Sequence, residues 1–165
     1  LSPLLSSPLP SLLLSPFCLA EWVYKKGNRD LYTLLDSSLS DALLGLRTHY
    51  PALSAAGQIA QDLLHVQMPG ISAPELFALT CLIFQHLPRF EHPEILSALF
   101  RLKWLQQEGL FLPSEPQTDW AFSAKEWSEL GRLATVRRLS ELQGQKLEPS
   151  FCEKIALFFQ DRARR

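Results

Sequence analysis

The stretch that most constrains this chain is SAPELFALTCLIFQHLPRFEHPEILSALFRLKWLQQEG, residues 72–109. It reads as two helices around a short turn bounded by Pro88 and Pro93. In the first, Leu76, Phe77, Ala78, Leu79, Cys81, Leu82, Ile83 and Phe84 are interrupted only by Thr80. A helix apolar on every side is expected to be buried on every side, and this run is too short to span a bilayer. In the second, Ile95, Leu96, Leu99, Leu102 and Leu105 recur at helical spacing. Phe100 and Trp104 widen that stripe, and Arg101, Lys103, Gln106 and Gln107 take the other side. The pattern predicts a buried first helix and an outer second one, with Leu79, Leu82, Ile83, Leu99 and Leu102 at the centre of the core. Ser72 and Glu75 have the spacing of a capping box. Pro93 suits a first helical position, and Gly109 suits a helix stop.

The same punctuation extends helices over the rest of the chain. One is expected from Pro16 to Gly27, with Lys25 and Lys26 in its last turn. Another follows a cap at Asn28, with Leu31, Leu34 and Leu35 on one face. Others run from Ser38 to Tyr50 and through Leu53, Ala56, Ile59, Leu63 and Val66, where Ala55, Ala56 and Gly57 would let a neighbour approach closely. Capping boxes at Ser123/Glu126 and Ser150/Glu153 open two more. The first of these carries Trp127, Leu130, Leu133, Leu139 and Leu142 and breaks near Gly144; the second carries Phe151, Ile155, Phe158 and Phe159. The expectation is an all-α fold of about seven helices in antiparallel pairs. These irregular hairpins would stack as a small bundle or a short HEAT-like solenoid, since Ser38 and Ser72 start units 34 residues apart.

Two segments resist this scheme. Residues 1–16, LSPLLSSPLPSLLLSP, hold Pro3, Pro8, Pro10 and Pro16, which break the apolar run a signal peptide needs. They read as a linker or polyproline-like arm whose leucines could lie in a groove. Ser2-Pro3, Ser7-Pro8 and Ser15-Pro16 have the form of proline-directed phosphosites, and a Ser/Pro-rich composition also produces such dipeptides by itself. Residues 17–165 then form one helical domain, in which 110–122 is an irregular loop, because Pro113 and Pro116 forbid a continuous helix. A chain that begins at Leu1 rather than Met also suggests a domain excised from a longer protein.

The chemistry is mostly exclusion. Four histidines show no metal-binding spacing; His86 and His92, with Glu91 and Glu94 near, are the best cluster, and helix-end roles explain them as well. Three separated cysteines, Cys18, Cys81 and Cys152, make neither a disulfide framework nor a zinc cluster and suit a reducing compartment. Cys81 lies in the most apolar run, where its thiol would be inert. No nucleophile elbow or Gly-rich phosphate loop occurs. Catalytic, cofactor and metal residues are therefore expected to be none.

Two groups of residues remain as candidates. Phe111, Leu112, Trp120 and Phe122 lie in the Pro-bounded loop, either as an interface or as a lid folded back on the domain. Arg137, Arg138, Arg162, Arg164 and Arg165, with Lys103, are candidate phosphate contacts. A net charge of −1 gives no global field, so these would have to converge on one face. Arg137-Arg138-Leu139-Ser140 also matches the R-R-x-S pattern of arginine-directed kinases. It falls within an expected helix that a kinase would have to unwind, and two solvated arginines beside Glu141 are the simpler reading. The main functional expectation is a non-catalytic protein-interaction module, a scaffold or subunit of a larger intracellular complex in nucleus or cytoplasm. The alternative is a helical nucleic-acid-binding module using those basic residues. Neither expects a membrane.

Overall fold

The computed structural model describes residues 15–27, 31–68, 70–114, 120 and 122–164. Among them the fold is mixed rather than all-α: six helices and a two-stranded antiparallel sheet. The chain divides into two compact units, one ending at Thr48 and the other beginning at His49.

The first unit corrects the fold expectation. Two strands, β1 (Leu19–Lys26) and β2 (Tyr32–Asp41), stand where helices were expected. They pair antiparallel from Leu19↔Asp41 to Lys26↔Tyr32, with irregularities at Leu19/Ala20 and Val23/Tyr24. The physical reason lies in Trp22-Val23-Tyr24 and Tyr32-Thr33. Aromatic and β-branched side chains fit a pleated surface better than a helix turn. Tyr24 and Tyr32 meet edge to face across the strands at 5.0 Å. Gly27 donates its N–H to the Leu31 carbonyl at 3.0 Å, closing the connection. The expected cap at Asn28 lies outside the described residues, as does nearly all of the 1–16 arm. Asp41 Oδ1 accepts from the Leu43 N–H at 2.8 Å and ends β2. Leu43 is turned to a positive φ of 45°, and a short helix, α1 (Leu44–Thr48), follows.

The second unit is helical: α2 (Tyr50–Val66), α3 (Pro74–His86), α4 (Glu94–Gln107), α5 (Ala124–Thr135) and α6 (Pro149–Ala163). Its centre is α4, which packs against α2, α3, α5 and α6. Every residue from Ile95 to Leu102 is buried, Ser97 and Arg101 included. The expected order of the central hairpin is therefore reversed. The all-apolar helix α3 is the outer one: only Leu76 and Ile83 are buried, while Phe77 and Leu82 are 61% and 44% exposed. Of the five expected core residues, Ile83, Leu99 and Leu102 are buried, Leu79 is half-buried and Leu82 is exposed.

Polar residues can enter the centre because α2 supplies partners for them. Ser97 Oγ donates to the Ala55 carbonyl at 3.4 Å, and Arg101 Nε donates to Asp62 Oδ2 at 2.7 Å. Both members of that ion pair are buried. Burial pushes the Asp62 carboxyl up from its ordinary value, and Arg101 and His65 pull it back. Along α2 the residues Ala52, Ala55, Ala56, Ile59 and Asp62 form the buried stripe; Ala55 and Ala56 are covered, whereas Gly57 is half-buried with open space where a Cβ would stand.

Helix ends follow backbone chemistry more than spacing. Ser123 and Glu126 form the expected capping box, at 3.2 and 2.7 Å. Ser72/Glu75 and Ser150/Glu153 do not. In each case a proline, Pro74 or Pro149, starts the helix instead, capped by Ala73 or Glu148 without a side-chain bond. Proline has φ preset for that position and no N–H to satisfy. Gly109, at φ 71°, ends α4 as expected: Leu110 N–H bonds to the Leu105 carbonyl and Gly109 N–H to that of Gln106.

Candidate nucleic-acid interface

The site is built from three elements of the helical unit. Helix α3 brings Leu79, Leu82 and His86, and the 3-10 turn after it brings Arg89, followed by Phe90. Helix α4 brings Leu99 and Lys103. The third wall is the segment Val136–Gln143. This segment was expected to continue α5, but the helix stops at Thr135. Thr135 Oγ1 donates to the carbonyls of Gly131 and Arg132. Val136 turns the backbone to ψ 128°, and a 3-10 turn occupies Leu139–Leu142. Val136 and Leu142 are buried, so the segment is pinned at both ends, and Arg137, Arg138, Ser140 and Glu141 are exposed between them. Glu141 Oε1 accepts from the Arg138 N–H at 3.2 Å and holds the turn.

These walls enclose a cleft of about 650 Å³. Its floor is apolar, from Leu79, Leu82, Phe90, Leu99 and Val136, and its rim carries Arg89, Lys103, Arg137 and Arg138. No carboxylate is among the residues that line it. The Lys103 ammonium feels the crowding: burial, and then the positive charge of Arg137, hold its pKa below the ordinary lysine value. Two other hollows of this unit differ. One of about 470 Å³ carries both signs, Glu94 and Glu153 with Arg101 and Lys146. Another of about 440 Å³ has only Glu75 and Glu108 as charged residues. Like charges held together without a counter-ion attract an anion from solution.

The structure thus brings together Lys103, Arg137 and Arg138 of the basic candidates, and adds Arg89, which the sequence pattern did not single out. Arg162 and Arg164 are not among the residues that line the cleft. Arg162 lies over the Phe158 ring at 5.5 Å, Arg164 is exposed, and Arg165 lies outside the described residues. The aromatic candidates pack within their own domain. Phe111 is fully buried between Trp127 and Phe158, and the half-buried Trp120 and Phe122 both touch the Phe158 ring. Trp127 Nε1 donates to the Pro113 carbonyl at 3.3 Å, tying the loop down. Leu112 is the exposed member. Phe111, Trp120 and Phe122 thus pack against the core of their own unit.

His86 Nδ1 sits 2.8 Å from the Leu82 carbonyl, and His92 pairs with Glu94 at 3.5 Å. Among the described residues no group of three His, Cys, Asp or Glu side chains is placed to hold a metal. Burial pushes the Cys81 and Cys152 thiols up from their ordinary value. No helix among the described residues is long and apolar enough to cross a membrane.

Comparison with known proteins overturns the interaction-scaffold expectation. The chain is similar to DNA repair protein RecO of Chlamydia trachomatis, with 32% identity over 76 residues, 46% of this chain and 31% of that protein. RecO of Chlamydia muridarum gives the same identity and length. RecO of Chlamydia pneumoniae is 29% identical over 97 residues, 59% of this chain and 38% of that protein. The chain spans about a third of the length of these curated relatives. No family model and no solved structure matches it. Relatives named as DNA repair proteins favour the nucleic-acid alternative over a helical-repeat scaffold.

Proposed function

We propose that this chain is part of a DNA repair protein and that its helical unit binds nucleic acid through the α3–α4 cleft. The observation that carries this reading is the convergence of Arg89, Lys103, Arg137 and Arg138 on a rim without a carboxylate. Its relatives supply the context, being named DNA repair proteins. Binding would work by phosphate neutralisation. Guanidinium groups meet phosphate oxygens with paired N–H donors, and an ammonium adds a point charge. The partner is DNA, with other repair proteins beside it, and no step requires a catalytic group or a cofactor. The site of action is the intracellular compartment that holds the DNA; none of the three cysteines forms a disulfide, which suits a reducing one.

The test is binding of a fluorescent mixed-sequence oligonucleotide across a salt series. Three or so phosphates neutralised give a log–log slope of about −2 to −3. Absence of binding at low salt, or binding indifferent to salt, removes the reading.

A further inference from the structure

We propose that Ser140 is a serine phosphorylation site whose phosphate occupies the basic cleft and closes it to nucleic acid. The closing effect rests on the function proposed above; the site itself does not.

The R-R-x-S pattern falls in a segment that the sequence predicts to be α-helical. In the structure α5 ends at Thr135, and the helical backbone of the segment is reduced to the 3-10 turn Leu139–Leu142, which includes Ser140. Arg137 and Arg138 precede the 3-10 turn outside any helix, and Arg138 is extended at φ −124° and ψ 125°. Val136 and Leu142 are anchored in the core, and between them Arg137, Arg138 and Ser140 are all exposed. An arginine-directed kinase can therefore reach the exposed hydroxyl and both recognition guanidiniums by opening one 3-10 turn, whose bonds are Glu141 N–H to the Arg138 carbonyl and Gln143 N–H to the Ser140 carbonyl, and no α-helix has to unwind. The reaction transfers the γ-phosphoryl of a nucleoside triphosphate to Ser140 Oγ. The new bond is O–P, the β–γ bridge breaks, the nucleoside diphosphate leaves, and the hydroxyl proton passes to the kinase base.

The product is unusual in its surroundings. Ser140 lines the same cleft as Arg89, Lys103, Arg137 and Arg138. A phosphoserine carries a charge of about −1.5 to −2 and three strong acceptor oxygens. It would supply in cis the anion that the rim lacks. The opposing charge is Glu141, whose carboxylate is engaged with the Arg138 N–H. Four cations against one exposed carboxylate leave the phosphate attracted, and they leave little positive potential for a nucleic acid phosphate.

The experiment treats the whole chain with an arginine-directed serine kinase and ATP, maps the label by mass spectrometry, and uses Ser140→Ala as the control for position. The expected result has three parts. Phosphate is incorporated at Ser140. Its second ionisation, followed by phosphorus NMR, lies at least about half a unit below the value near 6 of an unfolded phosphoserine. Affinity for the fluorescent oligonucleotide falls by at least about tenfold at low salt. Failure of the folded chain to take label at Ser140 overturns the proposal. So does an unshifted ionisation, and so does unchanged affinity in a chain that binds before treatment. If the untreated chain binds no oligonucleotide, the function reading fails by itself. Label at Ser140 with a depressed ionisation then still establishes the site, and label with an unshifted ionisation still overturns it.

Discussion

Arg101 and Lys103 lie two residues apart on α4 and have opposite fates. Arg101 is buried, with Asp62 of α2 against its Nε at 2.7 Å. Lys103 opens onto a cleft where burial, and then the charge of another cation, Arg137, act on its ammonium. In sequence they looked alike, two basic residues opposite an apolar stripe. The difference is the carboxylate. A buried cation with an anion in place is part of the architecture, and its removal is felt by the fold. A half-exposed cation crowded by its own kind costs the fold something and is a candidate to bind an anion.

The largest effect expected from this comparison is at Asp62. Asp62→Ala strands a buried guanidinium and should cost about 3–5 kcal/mol in chemical denaturation. A change under about 1 kcal/mol, within the usual range of surface ion pairs, would show that Arg101 escapes to water and that the two cations are not so different.

A second test separates core from cleft floor within the central hairpin. Leu102, buried on α4, should lose about 2–5 kcal/mol on change to alanine. Leu82, 44% exposed in the cleft wall of α3, should lose about 1 kcal/mol or less. Equal losses at the two positions would mean that α3 is covered as fully as α4.

That hairpin also shows how far the sequence could be read. The two helices, the stop at Gly109 and the capping box at Ser123 were legible, because local backbone chemistry decides them. Which helix lies inside was not. Hydrophobicity favoured α3, yet α4 has four helices around it and can bury even Ser97 and Arg101, whose partners Ala55 and Asp62 lie some 40 residues earlier in the chain. No periodicity within α4 reveals Asp62. The hairpin of β1 and β2 escapes a reading by helical facing for another reason: what decides Trp22-Val23-Tyr24 is the aromatic and β-branched shape of the side chains. The cleft was half legible. Arg137, Arg138 and Lys103 were candidates as a set, but their meeting depends on α5 ending at Thr135, and Arg89 joins only through the turn after α3. Arg162 and Arg164 carry the same charge signal and do not line the cleft.

That last contrast supplies the most direct test of the central claim. Oligonucleotide affinity and its salt slope are to be measured for the chain, for Arg137→Gln with Arg138→Gln, and for Arg162→Gln with Arg164→Gln. Arg137 and Arg138 are exposed, so their replacement should change stability by no more than about 0.5 kcal/mol. The account predicts that the cleft pair lowers affinity by at least about tenfold and flattens the salt slope by about 1 to 2, while the C-terminal pair leaves both near those of the parent chain. Loss of binding in the C-terminal pair with full binding in the cleft pair would contradict it.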